Sequence, residues 1–118
     1  MRIVLKFISA LLASILLLNG VISWMKKVFP KIKYASSGEL SIAYQVWGEA
    51  DNVLVYVPGI VSHLEVTLEI NGYVKWLENL SKNFRVVIFD KRGQGMSDRD
   101  ASMPGIEARA DDITAVIN

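Results

Sequence analysis

The sequence predicts an α/β domain with parallel central strands, preceded by one helix long and apolar enough to cross a membrane. Two continuous apolar runs, at residues 53–57 and 85–89, are typical of strands covered on both faces. A segment with helical periodicity separates them, and strands joined through a helix pair in parallel. An uncharged run at residues 7–25 supplies the membrane helix.

Composition and charge narrow the classes of function. The 118 residues contain no cysteine, which excludes disulfides, a thiolate nucleophile and cysteine-based zinc sites. Residues 1–33 carry six basic side chains and no acidic one, whereas residues 34–118 carry seven basic and twelve acidic side chains. Basic groups that flank an apolar run suit anionic lipid headgroups. We therefore expect a lipid membrane as a partner, and no nucleic acid, metal or cofactor.

The N-terminal segment, residues 1–25, is predicted to be a membrane anchor. As a helix, the uncharged run at residues 7–25 is about 28 Å long, close to the hydrocarbon thickness of about 30 Å. Trp24 lies where an interfacial aromatic residue is expected, and lysines follow it directly. One extra positive charge on the C-terminal flank favours, by a small margin, a single-pass protein with its C-terminal domain in the cytoplasm.

Two other interpretations of this segment remain open. A cleaved signal peptide would have its apolar core at residues 7–18 and a helix break at Asn19-Gly20, and would leave a secreted or periplasmic domain. Alternatively, the run could be a helix buried in a protein core, although its length and basic flanks favour a membrane.

Elements of the soluble part follow in order. Residues 26–33 form a basic linker in which Pro30 discourages helix continuation. Ser37-Gly38 predicts a turn, and the alternating pattern at residues 40–47 predicts a half-buried strand, so a hairpin opens the domain. The buried strand at residues 53–57 comes next and ends at Pro58-Gly59.

Two helices flank the second buried strand, residues 85–89. The first is predicted at residues 72–81, with one apolar stripe formed by Tyr73, Trp76, Leu77 and Leu80. The last helix begins near Pro104, which suits a first helical turn. Its apolar face is predicted to consist of Ile106, Ala110, Ile113 and Ile117, with acidic side chains opposite.

Two loops follow the carboxyl ends of the predicted buried strands, where open α/β sheets place their ligand sites. Residues 58–65 read Pro-Gly-Ile-Val-Ser-His-Leu-Glu, and residues 90–99 read Asp-Lys-Arg-Gly-Gln-Gly-Met-Ser-Asp-Arg. With their strands, these loops resemble the α/β-hydrolase superfamily, and within it the esterase-type members whose third strand ends in Pro-Gly. The resemblance covers residues 34–118 and implies the N-terminal half of that fold.

The resemblance implies a role for the loop that begins at Pro58. In this family the loop supplies one backbone N–H of the oxyanion hole, and the matching position is Ile60. Gly59 is expected to let the chain turn so that this N–H faces the cleft. A plain strand-ending turn is the alternative, because Pro-Gly is a common turn pair.

The second loop is expected to be a scaffold. Asp90 and Arg92 are predicted to form a buried or half-buried pair, and Gly93 and Gly95 to adopt conformations that other residues resist. Ser97, which closes the Asp-x-Arg-Gly-x-Gly-x-Ser motif, belongs to the same structural set. The Gly-x-Gly is not a dinucleotide fingerprint, because Asp98 occupies its third glycine position.

His63 is the only histidine, but the resemblance places the catalytic histidine near the far end of the fold. We therefore expect His63 to line the cleft at a helix start of the capping-box type, Ser62-His63-Leu64-Glu65. Neither Ser62 nor Ser97 lies in a Gly-x-Ser-x-Gly segment, and that pattern does not occur in the chain. The resemblance implies that nucleophile, acid and histidine all follow Asn118.

The sequence thus predicts a membrane-tethered α/β-hydrolase cut short by a truncated reading frame, with a catalytically incomplete chain. The parent reaction is expected to be hydrolysis of a small-molecule carboxylic ester, while an aspartate nucleophile would bring dehalogenase or epoxide-hydrolase chemistry instead. Without its neighbour, the strand at residues 53–57 would leave an apolar sheet edge open. The alternative is a non-catalytic, membrane-anchored module that a partner chain completes.

Overall fold

The computed structural model describes residues 2–25, 27–100 and 102–118. Helices and strands follow one another in the predicted order. They are α1 (Arg2–Met25), β1 (Lys33–Ser37), β2 (Leu40–Trp47), β3 (Val53–Tyr56), α2 (Leu64–Thr67), α3 (Asn71–Leu80), β4 (Arg85–Phe89) and α4 (Ile106–Ile117).

The four strands form one sheet in the order β1-β2-β4-β3. β1 and β2 form the predicted antiparallel hairpin, and Gly38 at its tip has a φ of 61°, a conformation that favours glycine. β2 pairs with β4 antiparallel, and β3 pairs with β4 in parallel. The parallel pairing predicted from the strand–helix–strand pattern is confirmed.

The core lies on both faces of this sheet. On one face, Val86 and Ile88 of β4 pack with a cluster that includes Leu77 of α3. On the other, Val87 and Phe89 pack with a smaller cluster. Because successive residues of a strand point to opposite faces, an apolar run such as β4 is stable only when both faces are covered. The prediction of a doubly buried strand at residues 85–89 is confirmed.

The same prediction is wrong for β3. This strand is the last in the sheet order, and within the described ranges no strand pairs with its outer edge. Val53 and Tyr56 are exposed, while Leu54 and Val55 are only half-buried. An edge strand loses the cover that a second neighbour brings. The expected open apolar edge is therefore present.

The predicted apolar face of α4 is also wrong. Ile106 and Ile117 are exposed, and the buried residues of the helix are Asp112 and Val116, with Ile113 partly buried beside them. The helix is rotated because the Asp112 carboxylate faces the interior, where it meets an arginine of the second loop.

Helix α1 has the length and composition of a membrane span. Its apolar window, Arg2–Gly20, has a mean hydropathy of 2.1, and none of that window is buried against the rest of the chain. Within the described residues, the helix is therefore not part of the domain core. Anchor and signal peptide both fit a helix of this kind at the N-terminus.

Candidate functional site

A cleft lies where the two loops follow the carboxyl ends of β3 and β4. It has a volume of about 310 Å³ and is closed on one side by the start and middle of α4. Its walls mix apolar and charged side chains; they are Val57, Pro58, Gly59, Phe89, Lys91, Arg92, Gln94, Pro104, Arg109, Asp112 and Ile113. Open α/β sheets place their ligand sites at the carboxyl ends of the strands, and this cleft lies there.

The second loop is organised around the Asp90 carboxylate, which is fully buried. Its Oδ2 accepts hydrogen bonds from the backbone N–H of Leu64 at 3.1 Å and of Met96 at 2.8 Å. One carboxylate oxygen thus joins the start of α2 to the far side of its own loop. Charge-assisted bonds of this kind are about twice as strong as neutral ones.

Ser97 links the same loop to the sheet. Its hydroxyl donates to the backbone carbonyl of Asp90 and accepts from the N–H of Ala43 at 2.9 Å. Both its donor and its acceptor capacity are in use, and the side chain is buried. A hydroxyl in this position stabilises the loop and is not available to attack a substrate.

The two loop glycines adopt the predicted conformations. Gly93 has a φ of 77° and Gly95 a φ of 49°, both in the left-handed region. A Cβ atom on Gly95 would overlap the Asp90 carboxylate. The glycine therefore allows the loop backbone to approach that carboxylate closely.

The predicted pair between Asp90 and Arg92 is wrong. Arg92 instead donates to Asp112 of α4 through two nitrogens, Nε to Oδ2 at 2.8 Å and Nη2 to Oδ1 at 2.7 Å. A third bond joins Nη1 to Asp100 at 3.4 Å. The fork of the guanidinium matches a carboxylate two atoms at a time, and Asp112 offers that geometry.

The pKa values of the half-buried Arg92 and Asp100 both move in the direction that favours the charged forms. The hydrogen bonds that Arg92 donates to the Asp112 carboxylate raise the pKa of Arg92. Hydrogen bonds from Ser102, and then from Arg92, lower the pKa of the Asp100 carboxyl. The Asp112 carboxylate is buried, and the Arg92 guanidinium is its ion-pair partner. Arg92 thus fastens α4 to the second loop at the wall of the cleft.

The first loop is held by side chains from the second. Lys91 donates to the carbonyl of Gly59, and Gln94 Nε2 donates to the carbonyl of Ile60 at 2.8 Å. Gln94 Oε1 also accepts from the N–H of Ser62 at 3.1 Å. Sequence reasoning did not single out Lys91 or Gln94. Their only signal was their position in the loop motif, where Lys91 lies between Asp90 and Arg92 and Gln94 lies between the two glycines.

Ile60, the predicted oxyanion position, lies at the rim of this cleft. Its side chain is 89% exposed and is not part of the cleft wall, whereas Pro58 and Gly59 are. No group in residues 2–25, 27–100 or 102–118 accepts a hydrogen bond from the Ile60 N–H. Glycine was expected to be required at position 59, but the structure does not require it there. The φ of Gly59 is not positive, and an added Cβ would meet no other atom within 4 Å.

His63 begins α2, as expected, but it acts as the cap itself. Its Nδ1 accepts a hydrogen bond from the N–H of Val66 at 3.4 Å. Ser62, the expected capping residue, uses its hydroxyl on Gln94 Oε1 at 3.3 Å and accepts from the N–H of Lys91. His63 lines a second, smaller cavity of about 70 Å³ beside Asp90.

The described residues do not bring a nucleophile and a base together. Thr67 donates its hydroxyl to the backbone carbonyl of His63, and no serine or threonine hydroxyl in these ranges bonds to the His63 ring. Nucleophilic catalysis by a hydroxyl requires a base within hydrogen-bond reach. Nor does any group of three or more potential metal-ligating side chains occur in the described part of the chain.

Similarity to known proteins was found among solved structures. Comparison with protein-family models gives no match, and comparison with curated sequences gives no significant match. The chain is similar to a membrane phospholipase A, described as a novel bacterial virulence factor, with 17% identity, a TM-score of 0.59 and 93% of this chain covered. It is also similar to 2-hydroxy-6-oxo-6-phenylhexa-2,4-dienoate hydrolase from Rhodococcus sp. strain RHA1, with 23% identity, a TM-score of 0.52 and 75% covered.

These alignments cover only part of the two relatives. The chain spans 38% of the length of the first and 32% of the second. At such identities the likeness concerns the fold, and function has to be argued from the site. The hairpin, the parallel strand pair and the helices on both faces agree with it. The chain therefore has the fold of the N-terminal part of an α/β-hydrolase, preceded by a helix apolar enough to span a membrane.

Proposed function

We propose that this chain is the membrane-anchored N-terminal part of a carboxylic-ester hydrolase, in which the Ile60 N–H supplies one donor of the oxyanion hole. Nucleophile, acid and catalytic histidine belong to sequence beyond these residues. The fold, the cleft at the carboxyl ends of β3 and β4, and the membrane-type helix support this assignment. One of the structural relatives is itself a membrane phospholipase.

The observation that carries the proposal is the orientation of the Gly59–Ile60 peptide. Lys91 holds the Gly59 carbonyl, and Gln94 holds the Ile60 carbonyl that follows. In a trans peptide the N–H points opposite to the C=O of the same plane, and the described chain has no cis peptide. Fixing the Gly59 carbonyl therefore fixes the direction of the Ile60 N–H.

A donor prepared in this way suits acyl transfer. When a nucleophile adds to an ester carbonyl, negative charge develops on the carbonyl oxygen, and a fixed N–H stabilises it without reorganisation. The Ile60 N–H has no partner among the described residues, so it is available for that oxygen. Only the backbone N–H of Ile60 is needed for this role, so its side chain is dispensable. The exposure of that side chain agrees with this.

The test separates the amide from the side chain. In the chain extended by the sequence encoded downstream of the Asn118 codon, Ile60→Pro removes the N–H, whereas Ile60→Ala keeps it. We expect Ile60→Pro to lower kcat for a p-nitrophenyl ester by about 10²–10³-fold, and Ile60→Ala to leave it nearly unchanged. Equal losses in the two variants would assign the residue a structural role and contradict the proposal.

The downstream sequence itself provides a second test. A Gly-x-Ser-x-Gly segment between a strand and a helix is the expected nucleophile site of an esterase. If that segment is absent from the downstream reading frame, or carries an aspartate at the nucleophile position, carboxylic-ester hydrolysis is the wrong reaction. The fold assignment would survive that result.

The open outer edge of β3 favours a second function, a non-catalytic membrane module completed by a partner strand. An exposed edge can accept an added strand through main-chain hydrogen bonds. Affinity purification of the tagged chain from native membranes distinguishes the two. A stoichiometric partner that protects β3 amides from hydrogen exchange would support the module, and a chain recovered alone would exclude it.

A further inference from the structure

The linker between α1 and the sheet is fixed to the domain at three points. Gln45 Nε2 donates to the carbonyl of Pro30 at 2.6 Å. The ring of Phe29 lies 6.0 Å from the ring of Trp47. Lys27 Nζ lies 3.0 Å from Glu78 Oε1. The ion pair is exposed and weak by itself, but the buried amide and the aromatic contact hold the path of the linker.

Two of these contacts, those of Lys27 and Phe29, lie at the edge of the sheet where β4 begins, whereas Gln45 pairs with Ile88 near the end of β4. Trp47 is the last residue of β2 and pairs with Val86 near the start of β4. Glu78 is close to the end of α3, the helix that leads into β4. The linker therefore enters the domain at the amino end of the parallel strands.

The cleft lies at the opposite edge of the sheet. Its walls follow the carboxyl ends of β3 and β4, and β4 ends at Phe89, which pairs with Tyr44. Beyond it, the N–H of Asp98 bonds to the carbonyl of Ser41. From Trp47 to Tyr44 is three residues of extended chain, or about 10 Å. The helix-proximal part of the linker and the cleft thus lie at opposite ends of β4.

The C-terminal end of helix α1 must lie near the entry edge, whatever direction the helix takes from there. Its last residue, Met25, is two positions before Lys27, so their Cα atoms are at most about 7 Å apart. The helix is about 36 Å long and its apolar window is not packed against the domain. A bilayer is a flat layer. A domain attached to one end of a membrane-spanning helix therefore has its attachment edge facing the membrane surface.

From this geometry we propose that the anchor holds the domain with its cleft facing away from its own bilayer. A ligand then enters the cleft from the aqueous phase rather than from the lipid in which the protein is embedded. The orientation follows from the linker contacts alone; only the identity of the ligand as an ester rests on the proposed function. The alternative orientation would place the exposed apolar side chains near the cleft, such as Ile60 and Met103, in the membrane.

Single-cysteine labelling tests the orientation, because the native chain has no cysteine. Val28→Cys reports on the linker and Met103→Cys on the cleft side, at side chains that are 88% and 98% exposed. Ile106→Cys is a second cleft-side position in case one variant folds poorly. Each variant of the full chain is labelled with an environment-sensitive fluorophore and reconstituted into phosphatidylcholine–phosphatidylglycerol vesicles, with and without lipids spin-labelled at the headgroup.

We expect the spin-labelled lipid to quench the label at position 28 several-fold more strongly than the labels at positions 103 and 106. Equal quenching, or stronger quenching on the cleft side, would overturn the orientation. An intact mass that lacks the N-terminal segment after expression in membranes would overturn it as well, since no anchor would remain. Loss of ester turnover in the extended chain bears on the proposed reaction and not on this result.

Discussion

At the residue scale, the Asp90 carboxylate organises the loops around the cleft. It accepts hydrogen bonds from two backbone N–H groups on separate segments. The loop can close over the carboxylate only because Gly95, which lies against it, has no Cβ. The loop motif predicted the two glycine conformations because positive φ is a local property of the chain. The partners of Asp90 and Arg92 depend on which segments meet in space, and the motif does not contain that information.

Replacing Gly95 with alanine should destabilise the domain more than a positive φ alone explains. Gly38→Ala is the matched control, since Gly38 also has a positive φ but an added Cβ there meets no other atom within 4 Å. We expect a loss of about 1 kcal/mol for Gly38→Ala and at least about 2 kcal/mol for Gly95→Ala. Denaturant unfolding of the detergent-solubilised chain, followed by near-ultraviolet circular dichroism, measures both. Equal losses would show that the loop does not close on Asp90.

Tyr73 should contribute a pH dependence at the alkaline end. Burial, with the nearby Tyr56 and the Asp90 charge, raises the pKa of Tyr73 from 10.0 to about 12. The unfolded chain therefore releases this proton first, so the stability from this group is complete below pH 10.0 and is lost as pH rises through about 12. Tyr73→Phe should reduce the decrease in unfolding midpoint between about pH 9 and about pH 11. The exposed Tyr34→Phe is the control, and an unchanged decrease in Tyr73→Phe would contradict the assignment.

At the element scale, periodicity predicted which helices and strands exist better than which faces are buried. β4 is buried on both sides, as its apolar run predicted, whereas the similar run of β3 is half exposed because of its place in the sheet order. In α4 the apolar stripe faces partly outwards and Asp112 faces inwards. From the sequence alone, an aspartate is expected at the surface unless the cation that pairs with it is known. Here that cation is Arg92, which lies in a loop twenty residues away along the chain.

The open edge of β3 should make the chain prone to self-association, and a charge on it should reduce this. Val53 on β3 is 44% exposed, and Val66 on α2 is 52% exposed. We expect Val53→Lys to lower the fraction of detergent-solubilised chain that sediments after concentration, because charged side chains protect sheet edges. Val66→Lys changes the charge equally and should have little effect. If both variants reduce sedimentation alike, net charge and not the edge governs association.

At the scale of the whole molecule, the chain combines a membrane-type helix with an α/β unit that has a cleft at the carboxyl ends of its parallel strands. Within the described ranges, no hydroxyl is hydrogen-bonded to the His63 ring. The resemblance carried by the two strand-end loops predicted the fold, and the structural relatives confirm it. The loop contacts through Lys91 and Gln94 were not predictable, because a lysine and a glutamine in a loop have many possible partners. The direction of the Ile60 N–H depends on the Lys91 contact with the Gly59 carbonyl.

Ester turnover by the 118-residue chain itself tests the central claim, that this chain holds an oxyanion donor but no nucleophile and base. The chain is purified in detergent and assayed with p-nitrophenyl acetate and butyrate beside Ser62→Ala and His63→Ala variants. We expect the uncatalysed rate from all three proteins, because the Ser62 hydroxyl and His63 Nδ1 are occupied by loop and cap contacts. Turnover by the native chain that is lost in either variant would contradict it.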